Sequence, residues 1–227
     1  MRIQLDFAAV LAEWPLLLTG VGWTLALTTA SVLVGTAVGV VCAWVRGKGF
    51  GATLAPNWLQ VLVATYVELI RNTPFIVQLF FIFFGLPAAG FKLSAEMASF
   101  LAMVINLGAY ACEIIRAGLE ATPRGQIEAA HSLALTRMQT FVRVVLPPAL
   151  HKVWPSLVSQ TIIVMLGSSV CGQISTAELS YAADLIQSRN FRAFEAFIVA
   201  GCIYLLLSVG MRQLLNWAGP RFLFGRR

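Results

Sequence analysis

Charge is absent from long stretches of the chain. Residues 14–45, 49–67, 72–91, 97–112, 153–177 and 196–211 contain no Asp, Glu, Lys or Arg. A helix of roughly 20 apolar residues crosses a bilayer, and the pattern predicts five such spans, at 15–45, 58–86, 94–116, 153–175 and 195–217, each bounded by charge, Pro or Gly. The second span is the ambiguous one, because Glu68 and Arg71 divide its apolar residues. Two short crossings there would leave a turn at Asn72-Thr73-Pro74 with no polar spacer, so one long, interrupted span is the better reading. The predicted fold class is all-α, a polytopic transmembrane helical bundle of about five spans.

The longest hydrophilic stretch, 118–151, has its own helical punctuation. Thr122 before Pro123 suits an N-cap and first helical position, which predicts a helix over about 123–134. Thr136 and Gln139 have capping-box spacing, and a second helix from there is expected to stop near Leu146, at Pro147-Pro148. On the first helix Ile127, Ala130 and Ala134 share a face, while Glu128 points elsewhere among small residues. Periodicity alone leaves two readings open: a loop lying on lipid headgroups, or a compact helix docked in a groove of a partner.

Composition supports the membrane reading, with 59% apolar and 11% charged residues against about 45–50% and about 25% in average soluble domains. Gly35-Thr-Ala-Val-Gly39 in the first span permits close helix contact. The net charge of +6 reflects membrane orientation rather than nucleic-acid binding. With the N-terminus outside, Arg46, Lys48, Arg116, Arg124, Arg137, Arg143, Lys152, Arg212, Arg221, Arg226 and Arg227 face the cytoplasm. Only Arg2, Lys92, Arg189 and Arg192 then lie outside. The positive-inside rule thus gives an N-out, C-in expectation. Asp6 and Glu13 beside a long first apolar run argue against a cleaved signal peptide. Cys42, Cys112, Cys171 and Cys202 lack CxxC spacing and read as free, buried thiols.

Ionisable groups inside a span cost roughly 2.5–3.5 kcal/mol each on insertion scales, so Glu68 and Arg71 need partners or water. Their spacing allows a mutual salt bridge, and it equally allows a polar lining for a pathway. Pro74 removes the N–H that would bond the Ile70 carbonyl, which predicts a kink and a free carbonyl one turn from the charges. Asn72, Thr73 and Pro74 therefore join Glu68 and Arg71 as candidate pathway residues. Ser168 and Ser169 are further candidates, set against simple bonding to their own helix backbone. Glu113 and Arg116 repeat the spacing at the end of the third span, where bracing of the loop is the preferred reading.

The residue inventory argues against enzyme chemistry. His131 and His151 are the only histidines, and no HExxH, GxSxG, Walker A or GxGxxG pattern occurs. A membrane redox or enzyme subunit is thereby disfavoured, and no cofactor or metal is expected on this chain. A self-sufficient secondary transporter or channel is an alternative that hydropathy leaves open.

The segment Glu128-Ala-Ala-His-Ser-Leu-Ala134, continuing to Val145-Leu-Pro147, resembles the EAA loop of bacterial ABC-importer permeases. Glu68-Leu-Ile-Arg-Asn-Thr-Pro-Phe-Ile-Val-Gln78, Glu113-Ile-Ile-Arg-Ala-Gly118, Gly125-Gln-Ile-Glu-Ala-Ala130 and Gly20-Val-Gly-Trp-Thr24 resemble its polar amino-acid branch. The similarity runs from about residue 16 to 217. It implies a single permease domain, 1–227, of type I importer fold, with a cytoplasmic coupling loop at 117–150. It also implies docking of Glu128, Ala129, Ala130, Ala134, Leu146 and Pro147 on a separate ATPase that carries ATP and Mg. The implied partners are those ATPase subunits, a second permease subunit, an extracytoplasmic amino-acid-binding protein and the lipid bilayer, in the bacterial inner membrane. Three departures stand out: Ala134 in place of the usual Gly, Asn72 in place of Gly or Ser, and Leu166-Gly167-Ser168-Ser169 where relatives carry Lys-Asp-Thr-Ser. Ala134 is costly wherever the backbone takes a positive φ.

Overall fold

The computed structural model describes residues 5–47, 55–219 and 221, and all regular structure among them is helical. In chain order the helices are α1 (Phe7–Leu11), α2 (Trp14–Arg46), α3 (Asn57–Arg71) and α4 (Phe75–Ala88), then α5 (Ala95–Glu120) and α6 (Arg124–Ser132). They end with α7 (Arg137–Ile174), α8 (Leu179–Asn190) and α9 (Ala193–Ala218). Four of these, α2, α5, α7 and α9, are long and apolar enough to cross a membrane. The α3 and α4 pair has the composition of a span but bends by 113° between its halves. Neither half reaches spanning length alone, and the break, far sharper than a proline kink, is that of a broken span or a re-entrant loop. The basic residues Arg2, Lys48, Arg226 and Arg227 lie outside the described residues.

Two expectations about proline need correction. Pro147 and Pro148 do not end a helix: α7 runs through both and through Pro155. A wide π turn, Phe141–Val145, precedes them, and the Leu146 N–H bonds back to the Phe141 carbonyl. The same arrangement recurs in α4, where the π turn Phe81–Gly85 precedes Leu86-Pro87. Proline cannot supply an N–H to the ordinary ladder, and the widened turn changes the bonding register just before the gap. The second loop helix and the fourth span are therefore one element. At the other end of the loop Pro123, not Thr122, occupies the cap position, extended at ψ 134, so α6 starts one residue later than expected.

The chain forms two compact units, each assembled from three stretches. The first comprises Met1–Ser31, Phe75–Met103 and Ile162–Gln213. Its core joins Val10 and Leu17 to Leu179, Ala183 and Ile186 of α8 and to Ala196 and Ala200 of α9. Gly20 is where α8 meets α2: a Cβ there would lie 2.8 Å from the Leu179 Cα. One turn on, the buried Thr24 hydroxyl accepts the Leu179 N–H at 3.2 Å. Glu178, fully buried, caps α8 by accepting the N–H groups of Ser180 and Tyr181 at 2.9 and 2.8 Å, and Tyr204 donates its hydroxyl to it at 2.5 Å. Burial pushes this carboxyl above the ordinary carboxylate value, against the pull of those three donors.

The second unit comprises Val32–Pro74, Val104–Thr161 and Leu214–Arg227. Gly35 and Gly39 pack directly on Leu107 and Ala111 of α5, as the small-residue spacing predicts. Tyr66 donates its hydroxyl to the Ile105 carbonyl at 2.6 Å, tying α3 to α5. Trp154 of α7 donates its indole N–H to the Leu215 carbonyl of α9 at 3.3 Å. All four cysteines are free thiols, with Cys112 and Cys171 buried and Cys202 exposed.

Candidate functional site: an interrupted span and a folded loop

The interruption is built by side chains that satisfy the end of α3. Asn72 bonds the Glu68 carbonyl twice, through its backbone N–H at 3.1 Å and its side-chain amide at 2.8 Å. The Thr73 hydroxyl donates to the Leu69 carbonyl at 2.8 Å and lies 3.5 Å from that of Ile70. The carbonyl released by Pro74 is thus not left free, contrary to expectation. Thr73 is the polar side chain beside the Ile70 carbonyl, while Asn72 caps the end of α3 through the Glu68 carbonyl.

The charges there also pair differently from the local salt bridge that their spacing allows. Glu68 is exposed, and its carboxylate has no ion-pair partner among the described residues. Arg71 instead reaches Glu113 on α5 at 3.8 Å and lies over the Tyr110 ring at 5.6 Å. Glu113 is a hub: Arg46, the last residue of α2, pairs with it, Arg116 pairs at 2.8 Å, and Arg116 also holds Glu120. Three guanidinium groups from three helices meet one carboxylate that is 18% exposed. The Glu113 and Arg116 pair forms as the spacing allows, but it ties α2, α3 and α5 to one another rather than bracing the loop. No local spacing points to Arg46, Arg71 or Tyr110, because their convergence is set by helix packing. Arg71 is the loosest member of the cluster and, at 43%, the most exposed of its arginines.

Ser168 and Ser169 belong to the first unit and bond to their own helix. Their hydroxyls donate to the Met165 and Leu166 carbonyls at 2.6 and 2.7 Å. They open a tight 3-10 turn, Ser168–Ile174, closed by Ser175 at φ 64. Ser168 is buried, and the hydroxyls are spent on the backbone in this conformation.

The loop segment is folded as its punctuation requires. The capping box forms in both directions: Gln139 donates its N–H to the Thr136 hydroxyl at 3.3 Å, and Thr136 its N–H to the Gln139 side chain at 2.9 Å. Phe141, buried, packs on Trp44 of α2 with ring centroids 6.4 Å apart, so the start of α7 is braced on a span. Ala130 is buried and Glu128, Ala129 and Pro147 are exposed, with Leu146 half-buried.

Ala134 does not continue the Ala130 face, because α6 ends at Ser132. It sits at φ 55, its N–H bonding the His131 carbonyl at 2.9 Å while that of Leu135 bonds Ala130 at 3.2 Å. This is the glycine position of a Schellman motif. Sequence reasoning missed three exposed apolar side chains here, Leu133 at 74%, Met138 at 54% and Val142 at 48%. They lie on either side of the helix stop and the capping box, on a segment outside the long apolar runs.

The family model described as "Binding-protein-dependent transport system inner membrane component" matches residues 35–223. A probable glutamine ABC transporter permease protein, GlnM of Bacillus subtilis strain 168, is 36% identical over 163 residues, covering 72% of this chain and 76% of that protein. The glutamine transport system permease protein GlnP of Escherichia coli strain K12 is 32% identical over 217 residues, covering 94% and 96%. A crystal structure of an amino acid ABC transporter with histidines superposes with a TM-score of 0.83 at 33% identity, over 95% of this chain and 98% of that one. With most of its length matched, its motifs in order and its helices superposed, the chain belongs to the family of inner membrane permease components of binding-protein-dependent ABC transport systems.

Proposed function

We propose that this permease imports a polar amino acid across the bacterial inner membrane, powered by a separate ATPase. The observation that carries the coupling is the folded loop, its capping box formed and Phe141 packed on Trp44, which keeps Glu128, Leu133, Met138 and Val142 exposed. Glu128, Ala129, Ala130, Ala134, Leu146 and Pro147 form or support the surface that enters a cleft of the ATPase, whose ATP and Mg stay on that subunit. Residues 1–227 act as one permease domain, with 117–150 as the coupling segment. The N-terminus lies outside and the C-terminus inside, in keeping with the excess of Lys and Arg on the loop side.

The pathway forms with a second permease subunit, identical or related, and an extracytoplasmic binding protein delivers the substrate. Glu68, Arg71, Asn72, Thr73 and Pro74 line the pathway at the interruption, where charge and polar side chains follow the end of α3. Closure of the ATPases moves the paired coupling segments and rocks the helices between inward-facing and outward-facing states. A Glu128→Arg substitution tests this: it is expected to lower ATPase co-purification at least about tenfold, a coupling change of about 1.4 kcal/mol, without reducing membrane insertion. Unchanged complex yield with unchanged coupled ATP hydrolysis contradicts the docking role.

A further inference from the structure

Glu68 and Arg71 share the last turn of α3 and do not pair with each other. Both are exposed, and Thr65, Glu68 and Asn72 lie along one exposed stripe of the helix, turned away from buried Val63 and Val67. Earlier on that stripe stand the apolar Trp58 and Val61, so polarity is confined to its end.

Counting charges shows which groups are available there. The Glu113 cluster gathers the guanidinium groups of Arg46, Arg71 and Arg116 but only the carboxylates of Glu113 and Glu120, which leaves one positive charge in excess. Arg71 is the surplus cation, since its contact with Glu113 is 3.8 Å and Glu113 keeps Arg46 and Arg116 without it. Tyr110 takes a face of the Arg71 guanidinium at 5.6 Å, a contact that uses none of its N–H donors. Glu68 is the complement, a carboxylate with no ion-pair partner among the described residues. An ionisable group within an apolar span faces water or a ligand rather than lipid.

One acceptor and one surplus cation, three residues apart, match a ligand that carries an ammonium and a carboxylate close together. In an α-amino acid these groups branch from a single carbon and lie about 2.5 Å apart. That fits between side chains whose Cβ atoms are separated by about 5–6 Å.

We infer that Glu68 and Arg71 form a subsite for the main-chain end of the transported amino acid, Glu68 accepting from the α-ammonium and Arg71 donating to the α-carboxylate. The inference rests on the amino-acid import proposed above and deepens it. This subsite reads what all amino acids share, and discrimination among side chains falls to other surfaces.

The test uses the complete complex of permease and ATPase subunits in nanodiscs, without the binding protein, equilibrated in turn with each of the common amino acids in radiolabelled form. At least one should be retained, and Glu68→Gln and Arg71→Gln should each weaken its binding at least about tenfold. Two derivatives of that amino acid, measured by competition, then separate the roles. The N-acetyl derivative, which lacks the ammonium, should respond to Arg71→Gln and be indifferent to Glu68→Gln within about twofold. The α-amide, which lacks the carboxylate, should show the reverse. A variant that merely misfolds weakens both derivatives alike, so the crossed pattern is the signature. Equal responses of both derivatives to both substitutions, or binding of the parent amino acid that neither substitution weakens, would overturn the subsite while leaving amino-acid import in place. Phosphatidylethanolamine retained by the complex and lost in both variants would also overturn it, assigning the pair to a lipid headgroup. Retention of no amino acid, with no uptake of any by cells, would overturn the import reading and the subsite together.

Discussion

Ala134 and Arg71 show how single residues depart from what their neighbours in sequence suggest. A non-glycine residue in the left-handed region costs about 1–2 kcal/mol, and Ala134 bears that cost at φ 55 within a hydrogen-bonded helix stop. Ala134→Gly should therefore stabilise the loop by about 1 kcal/mol, measurable as slower amide hydrogen exchange over 124–140 with ATPase binding retained. Unchanged or faster exchange there would mean that the strain is relieved elsewhere. Arg71 contributes the third and longest contact to Glu113, which keeps Arg46 and Arg116 when Arg71 is removed. Arg71→Ala should accordingly cut uptake by more than about tenfold while membrane abundance stays within about twofold. A parallel loss of abundance and uptake would make the residue structural. The charge hub was not legible in the sequence, since i,i+3 spacing pairs Glu68 with Arg71 and nothing local brings Arg46 and Arg71 to one carboxylate. Ala134 was legible as a departure, but its backbone state was not, because that state depends on where α6 stops.

At the scale of elements, the spans were readable because an uncharged stretch of about 20 residues has few alternatives to a membrane helix. Their junctions were not. Pro147-Pro148 reads locally as a helix stop, yet a π turn on the preceding side carries α7 through it. The break at Asn72-Thr73-Pro74 reads as a kink, yet three side-chain and backbone bonds to α3 close the helix and let the chain turn by 113°. The Gly20-Val-Gly-Trp-Thr24 segment gains a physical account from the fold: Gly20 makes room for the first turn of α8, and Thr24 accepts its Leu179 N–H. Gly22, on the same helix, has open space around its Cβ direction. Gly20→Val should destabilise the protein by about 1–3 kcal/mol through overpacking, whereas Gly22→Ala should be neutral or stabilising by up to about 1 kcal/mol. Thermal unfolding of the purified complex compares the two. Equal effects would remove the close α2 to α8 approach as the reason for glycine at position 20.

For the whole molecule, the chain provides helices, a polar interruption and a braced loop. In the function proposed above, its change of state needs free energy from outside, since a two-state element is shifted by differential binding and not by its own structure. The central claim is that this energy arrives through Glu128 and its surrounding segment from a separate ATPase. Intact-complex mass determination after gentle purification from cells expressing the native operon tests that claim most directly. The account predicts two permease-sized chains with two ATPase chains, the permease masses distinguishing identical from related subunits. A stable, transport-active species made of this chain alone would contradict it.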